Sequence, residues 1–571
     1  MKYLKKYLIY LHRYLGLLFC LLFTLWFVSG IVMVYKRMPR LSAEERLQRL
    51  PVLDFTGARL TPAEVWQQRG VADPPEKVRL GMFGQRPIYH LLSRTDGWVS
   101  VFADTGELLP PVSAEGAIQV VSSIFPESIG KREYLGVVAI ADQWTLSSAL
   151  RQFKPLHKVA IDDEAGTVLY VSQVTGELVM KTTREGRFWG WMGAVIHWVY
   201  FTPLRQRVEL WRNVIIYGSL VGCLLCLSGI LVGLWRYRTR KRYRIGGRES
   251  GSPYAGMMRW HHYLGLIFGL VTFTWILSGL FSMNPGKWSP GSSPTAAQIK
   301  AASGGPLNLA GFKLAPAGAI REYAASFRPH EIELVQFRGR PYYLAYQSPS
   351  QWTDGQWSNT DTAAFLAAES PLPHLLIAGD GSGQHLRQFS RKEMEQISEV
   401  AMPGARIVES IWLEQYDAFY YHQKRGRRLP VLRVKYDDPQ QTWLYLDPQL
   451  GVIAQKEERL SRIERWLYQG LHSLDLPYLY QSYLAWQFVV VGLSLGGAAL
   501  SLTAVWLTWK RTRRVARRST AWRVPSMTPR LPWLPKGLQR SDGAGRTQTG
   551  HPSNVEGGTS PSAISVQSSS S

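Results

Sequence analysis

The sequence predicts an α-helical membrane protein with α+β exported domains. Three observations predict it: four apolar segments of spanning length, basic clusters confined to alternate loops, and an internal duplication of histidine-bearing motifs. A hydrocarbon core of ~30 Å takes about 20 residues of helix. Leu8 to Tyr35, Val214 to Trp235, Tyr263 to Met283 and Phe488 to Trp509 meet that length, and the rest of the 571-residue chain is too polar to span. The first segment is too long for the apolar region of a signal peptide and lacks a small-residue cleavage site, so it reads as an uncleaved anchor.

Basic residues set the expected orientation. Lys2, Lys5, Lys6 and Arg13 precede the first span, Arg236, Arg238, Arg240, Lys241, Arg242, Arg244, Arg248 and Arg259 lie between the second and third, and Lys510, Arg511, Arg513, Arg514, Arg517 and Arg518 follow the fourth. The positive-inside bias places these clusters and both termini in the cytoplasm. The long loops, about 36 to 186 and 284 to 465, then face the other side, which is the periplasm if the membrane is a bacterial inner membrane of a Gram-negative source. Much of the formal charge of +24 is this bias, so the high charge predicts a lipid bilayer as surroundings and no nucleic-acid partner.

The organisation that follows is a first span over 1–36, an exported domain over 37–186, an interfacial helix and second span over 187–236, and a basic cytoplasmic loop over 237–259. A third span over 260–284, a second exported domain over 285–464, an interfacial helix and fourth span over 465–510, and a disordered cytoplasmic tail over 511–571 complete it. The tail is rich in Ser, Gly, Pro and Thr from about Ser519 and cannot bury a core. Cys20, Cys223 and Cys226 all fall within predicted spans, where they read as small packing residues; Cys223-Leu-Leu-Cys226 lacks the strand-to-helix setting of a redox motif.

The chain is written twice. Leu11-His12-Arg13-Tyr14-Leu15-Gly16-Leu17, running into Trp26 and Ser29-Gly30, recurs 249 positions later as Trp260-His261-His262-Tyr263-Leu264-Gly265-Leu266, running into Trp275 and Ser278-Gly279. Trp191 to His197 recurs as Trp466 to His472 at an offset of 275. The loops repeat as well. Leu60-Thr61-Pro62-Ala63 matches Leu314-Ala315-Pro316-Ala317, and Phe83 to Tyr89 matches Phe337 to Tyr343, at 254, while Pro155 to Asp163 matches Pro430 to Asp438 at 275. The growth of the offset places the main insertion of the second half between Tyr343 and Pro430.

Each loop reads as a helix followed by strands. Thr61-Pro62 is a helix start. Lys77 to Phe83, Pro87 to Ser93 and Trp98 to Leu109 read as strands, with a turn at Thr105-Gly106. A further pair, His157 to Asp162 and Thr167 to Val171, precedes a turn at Thr175-Gly176, so small α+β domains are expected.

These features, His12-Arg-Tyr-Leu-Gly-Leu entering a span, a helix-plus-strands domain ending in Tyr170-Val-Ser-Gln-Val-Thr-Gly176-Glu, a juxtamembrane His197 and a second span, resemble the PepSY-associated transmembrane family over about residues 1 to 515, in both halves. The resemblance implies four transmembrane helices in two pseudo-twofold repeats, each with a PepSY-like periplasmic domain. That family includes iron-regulated inner-membrane proteins and ferric-siderophore reductases, so the resemblance also implies haem in the membrane and electron delivery to the periplasmic side. PepSY domains occur in addition in proteins thought to restrain peptidases.

The histidines carry an argument of their own. An ionisable residue in or at the end of a span is costly unless it faces the bundle interior and has a partner. If the halves are parallel repeats about an axis along the membrane normal, His12 and His261 share one depth and face each other across it. A flat macrocycle on that axis can take one imidazole on each face. His197 and His472 satisfy the same argument at the opposite surface, among Trp189, Trp191, Trp198, Trp466 and Tyr468, aromatics that also suit an interfacial belt. Two bis-histidine b-type haems would then form a path across the bilayer. Taken singly, a histidine at a helix end is more often an interface or packing residue; duplication in both halves favours ligation. His262 aligns with Arg13 and reads as a surface or haem-propionate contact, or as an alternative ligand to His261. His90, His157, His374, His385 and His422 read as solvated or locally bonded.

No phosphate-binding loop, dinucleotide-binding unit or HExxH motif is present. Electrons must therefore come from membrane quinol or a cytoplasmic flavoprotein. Arg86 and Arg340, each in an Arg-Pro-x-Tyr turn, are candidates for holding an anionic acceptor, with Tyr89 and Tyr343 stacking beside it, unless all four merely fix the fold. The expected function is reduction of a periplasmic acceptor, a ferric siderophore above all. The competing class is a membrane-anchored regulator that binds a peptide or peptidase. A transporter is disfavoured, because four helices leave little room for alternating access and the spans hold no carboxylate.

Overall fold

The computed structural model describes residues 2–126, 132–240, 242–323, 327–348, 372–421, 427–480 and 482–520. Four helices, Tyr3–Tyr35, Val208–Arg236, Met257–Phe281 and Tyr483–Arg517, are long and apolar enough to cross a membrane, which makes this a multi-pass membrane protein. The first helix begins at Lys2 rather than near Leu8, so His12 lies well inside it. The fourth runs through the basic residues to Thr520. Lysine and arginine are good helix formers, so the stretch from 511, expected as tail, is helical to 520; the tail beyond lies outside the described residues.

The strands are β1 (Lys77–Phe83), β2 (Arg86–Ser93), β3 (Gly97–Phe102), β4 (Arg132–Val138), β5 (Leu156–Ile161), β6 (Val168–Ser172) and β7 (Leu178–Thr182) in the first long loop, and a hairpin of β8 (Tyr243–Ile245) and β9 (Arg248–Ser250) in the basic loop. The second long loop carries β10 (Glu331–Phe337), β11 (Arg340–Tyr346), β12 (His374–Ala378), β13 (His385–Leu386), β14 (Ile407–Leu413), β15 (Val431–Tyr436), β16 (Trp443–Asp447) and β17 (Val452–Glu457). β3 stops at Phe102, short of the expected Leu109, because the chain turns at Gly106, where φ is +78°; a single bridge between Val101 and Leu108 closes it. β11 and β12 are separated by residues 347–373, where β2 and β3 are separated only by 94–96, which places the second-half insertion inside the expected window. Residues 349–371 of that insertion lie outside the described residues.

The two long loops are joined. One seven-stranded sheet has the order β13-β12-β11-β10-β1-β2-β3, and β1 pairs with β10 antiparallel with Arg79 opposite Glu333. Glu333 stands 254 residues after Arg79, so each strand pairs with its own equivalent. The small separate domains expected over 37–186 and 285–464 thus share a sheet. Each half adds a four-stranded sheet, β4-β5-β6-β7 and β14-β15-β16-β17.

Strand alternation sets the cores. Val78, Leu80, Tyr89 and Leu91 pack with Ile332, Leu334, Tyr343 and Ala345 in a core that also takes in Val65 and Trp66 of the helix Pro62–Gln68, and Ala319 and Tyr323 of Pro316–Tyr323. The Thr61 capping box starts the first of these helices. Tyr342, Leu344 and Leu376, from the alternate positions, pack against Leu432, Val434 and Leu444 of the second four-stranded sheet. Gly176, at φ +69°, fits because a Cβ there would lie 2.5 Å from the Phe83 ring.

A buried ionic cluster ties the halves. Arg46 donates to both oxygens of Glu331 at 2.7 Å, and Arg79 bonds Glu177 at 2.8 Å and Glu331 at 3.2 Å. Burial pushes the Glu177 carboxyl up, but Arg79, with His90 and Arg46, outweighs it and holds the group at about 2.

Below the sheets, the helices Arg184–Gly190 and Arg459–Arg465 each run into a π-helical turn, Trp191–Val195 and Trp466–Gly470. Such turns recur at functional sites. They deliver His197 and His472. Two residues later the chain adopts left-handed φ at Val199 (+55°) and Leu474 (+52°). A left-handed valine is an outlier that costs about 1–3 kcal/mol and persists only where the surroundings demand it.

Candidate functional site

The structure brings the four histidines together in the expected pairs. The ring centres of His12 and His261 are 6.2 Å apart, and those of His197 and His472 are 5.9 Å apart. A metal atom bound at ~2 Å by one nitrogen of each ring puts the ring centres roughly 6 Å apart. Both spacings suit that arrangement.

Hydrogen bonding decides which nitrogen is free. His12 Nδ1 lies 3.2 Å from the Leu225 carbonyl, which can only accept, so Nδ1 carries the proton. His261 Nδ1 lies 2.8 Å from Thr503 Oγ1, whose own proton goes to the Leu500 carbonyl, so again Nδ1 donates. His197 Nδ1 meets Ser29 Oγ at 3.2 Å and the Trp26 carbonyl at 3.1 Å. His472 Nδ1 meets Ser278 Oγ at 3.1 Å and the Trp275 carbonyl at 3.2 Å. Both serines also donate to those same carbonyls, at 3.1 and 2.9 Å. All four imidazoles are therefore held by Nδ1–H, which leaves every Nε2 lone pair free to ligate. This is the outer-shell arrangement that metal-bound histidines use.

The anchors repeat with the sequence. Within each half, the span histidine leans on the next span and the juxtamembrane histidine on the first, Leu225 matching Leu500 and Trp26 matching Trp275. Small residues make room. A Cβ on Gly229 would lie 2.5 Å from His12 Cε1, one on Gly30 3.4 Å from His197 Cε1, and one on Gly279 3.7 Å from His472 Cε1. Along the first helix, His12 and Trp26 are 14 residues apart, so the inner and outer pairs are separated by ~21 Å.

The outer pair borders a cavity of about 550 Å³ lined by Trp26, Met33, Trp198, Trp275, Tyr468 and Met283 among others. That volume lies within the ~300–1,000 Å³ of cofactor-sized sites. Burial, and then the neighbouring His472, hold His197 down at about 4, and burial lowers His472, so both stand as neutral imidazoles. Among the described residues, no group of three or more His, Cys, Asp or Glu forms a metal site. Two facing imidazole nitrogens in a largely aromatic frame would suit a flat metal-bearing macrocycle that brings its remaining metal ligands with it.

Other expected site residues are placed differently. His262 is buried, not at the surface. Its Nε2 donates to the Gly233 carbonyl at 2.9 Å and its Nδ1 meets Ser252 Oγ at 2.8 Å, so neither nitrogen remains for a metal. Tyr89 and Tyr343 are fully buried and donate to the Leu60 and Leu314 carbonyls at 2.8 and 2.7 Å; they are core residues and cannot stack on a ligand. Arg86 is committed to Asp104 through two bonds of 2.8 Å and lies over the Phe102 ring, while Arg340 is exposed and bonds Tyr342. His157 is satisfied by Tyr134 and the Val112 carbonyl, and His90 bonds Ser100. His374 and His385 lie on β12 and β13, and His422 lies outside the described residues. Residues that the sequence reading missed are Ser29, Ser278, Thr503 and Gly229. The two serines were visible as the repeated Ser-Gly pair, whereas Thr503 and Gly229 had no distinguishing signal.

No curated protein matches the chain. The family model described as the PepSY-associated TM region matches residues 9–511, nearly the whole of the helical and sheet framework, and the chain therefore belongs to the PepSY-associated transmembrane family.

Proposed function

We propose that this protein carries electrons across a bacterial inner membrane, from quinol or a cytoplasmic flavoprotein to a periplasmic acceptor, with two b-type haems as resident cofactors. His12 and His261 would hold one, His197 and His472 the other. The observation that carries the reading is the facing of histidines from the two halves, each with Nδ1–H tied to a backbone carbonyl or a committed hydroxyl and Nε2 free. When bound, such a group supplies a one-electron iron couple.

The chain's own residues fix imidazole orientation through Ser29, Ser278 and Thr503, exclude water with Trp26, Trp275 and the phenylalanines between the pairs, and keep His197 and His472 neutral by burial. Basic loops on the side of the termini support a cytoplasmic placement of both ends. The β1–β10 pairing and the recurring sheets support two pseudo-twofold repeats, each contributing a PepSY-like domain on the periplasmic side. A ferric siderophore suits the acceptor, because gain of one electron converts Fe(III) into the softer Fe(II), which hard oxygen ligands hold more weakly.

The test is vectorial. Protein is reconstituted in sealed vesicles with menadiol on one side and ferrioxamine plus ferrozine on the other. Formation of the Fe(II)–ferrozine colour, lost in His12→Ala and His197→Ala, supports the conduit. Colour formation that is indifferent to both substitutions argues for the competing class, a PepSY anchor that binds a peptide or peptidase.

A further inference from the structure

Each outer histidine is fixed twice, and the second fixing acts on its backbone. Trp211 Nε1, near the start of the second span, donates to the Trp198 carbonyl at 3.0 Å, and Trp486 Nε1, near the start of the fourth, donates to the Ser473 carbonyl at 2.8 Å. Trp198 follows His197 and Ser473 follows His472. Donor and acceptor alike recur at the offset of 275 that relates the two histidines. Both tryptophans line the outer cavity.

The acceptors lie where the helical bonding runs out. The next residues, Val199 and Leu474, take left-handed φ of +55° and +52°. Carbonyls at a helix end lack intrahelical partners, and one left unmet beside an apolar cavity is costly. In both halves an indole N–H meets that carbonyl, at the residue between the histidine and the strained turn. The indoles are themselves held in place. The Arg205 guanidinium lies 4.6 Å from the Trp211 ring centre, with the Tyr200 ring edge-on at 5.4 Å, and Trp486 stacks on Tyr483 at 5.7 Å. The ring of His197 bonds the Trp26 carbonyl of the first span, and that of His472 the Trp275 carbonyl of the third. Each outer histidine is thus held through its ring by one span and through its backbone by the next, and an imidazole plane is defined only when both are set.

We propose that Trp211 and Trp486 are positioning residues that set the orientation of the outer histidine pair, one for each ring. The inference rests on reading that pair as a cofactor site. Because His197 and His472 face one another at a single site, two tryptophans 275 residues apart act on the same group and leave the inner pair untouched.

The test uses holoprotein in detergent, as wild type, Trp211→Phe, Trp486→Phe, Trp211→Tyr and Trp486→Tyr, with His12→Ala to mark the inner component. The readouts are the low-spin EPR g values, which follow the angle between paired imidazole planes, the midpoints of the two redox components, and haem transfer to apomyoglobin. Loss of the indole donor in either half is expected to shift the g values and midpoint of one and the same component, the one that persists in His12→Ala. Haem transfer from it is expected to quicken by up to about tenfold, as loss of one hydrogen bond allows, with the other component unmoved. The Tyr variants keep an aromatic ring and a donor and give the same shift in smaller degree. Variants that unfold at the wild-type temperature and leave both components unmoved, or move both alike, overturn the proposal; where a Phe variant fails to fold, the Tyr variant at that position is judged by the same criterion. Absence of haem from the wild type would instead defeat the reading on which the proposal rests.

Discussion

Replacing Gly229 by alanine is expected to strengthen the second span and yet empty the inner histidine pair. The added Cβ would lie 2.5 Å from His12 Cε1 and 2.9 Å from its Nδ1. Carbon atoms settle at ~3.5–4.0 Å, so the ring must retreat by about 1 Å. Retreat breaks the 3.2 Å bond to Leu225, worth about 1 kcal/mol net. It also moves the His12 ring out of the 6.2 Å pair, whose spacing suits one metal atom at ~2 Å from each ring. Helix propensity opposes this only in part: alanine gains about 1 kcal/mol over glycine mid-helix, and that gain acts on the helix rather than on the ligand. The equivalent position in the second half is Ala504, which already carries a Cβ, and His261 there donates to Thr503 Oγ1 beside the Leu500 carbonyl. The assay is haem per chain with reduced-minus-oxidised spectra, beside thermal unfolding of the same samples. Gly229→Ala is expected to keep its Tm and lose about one of two haems, while Ala504→Gly keeps both. Full haem content and an unchanged spectrum in Gly229→Ala would refute the packing argument.

Ser29→Ala and Ser278→Ala each remove one of two acceptors of an outer histidine Nδ1–H; haem affinity at that site is expected to fall about 10- to 100-fold, read by competition with apomyoglobin, with the inner site unaltered. His262→Ala is expected to loosen the β8–β9 loop, seen as faster proteolysis there, with both haems retained, since neither ring nitrogen is free. Tyr89→Phe and Tyr343→Phe, which each remove a donor from a half-buried carbonyl, are expected to destabilise the sheet by about 1 kcal/mol in denaturant titrations and to leave chelate binding unchanged. Glu177 gives an acid limb. Its folded pKa of about 2 lies below the ordinary 4.5, so its contribution is present above pH 4.5 and is lost as pH falls towards 2. The 2.5-unit gap corresponds to about 3 kcal/mol. Glu177→Gln is expected to flatten stability against pH between 4.5 and 2, as measured by urea unfolding followed through the β-sheet signal.

Why the histidine pairing was legible and other features were not has a physical basis. His12, His197, His261 and His472 recur within duplicated motifs at both ends of the spans, and an ionisable group in lipid demands a partner, so pattern and cost pointed the same way. His262 shows how a neighbour misleads. Consecutive helical residues point about 100° apart, so with His261 facing His12 its neighbour turns to Gly233 of the second span rather than to the surface. Arg86 and Tyr89 repeat as faithfully as the four histidines, but repetition marks structural need equally well, and strand alternation puts Tyr89 inward. The β1–β10 pairing joins strands more than 250 residues apart, and nothing local in either strand specifies so distant a partner. Gly229 is one small residue among several in its span, and only the position of the His12 ring singles it out.

The most direct test of the central claim is pyridine haemochrome quantification of the purified protein from haem-replete cells, with visible spectra before and after dithionite, for wild type and for His12→Ala and His472→Ala. The account predicts about two b-type haems per chain and the loss of about one in each variant. A colourless wild-type protein, or variants that keep both haems, would contradict it.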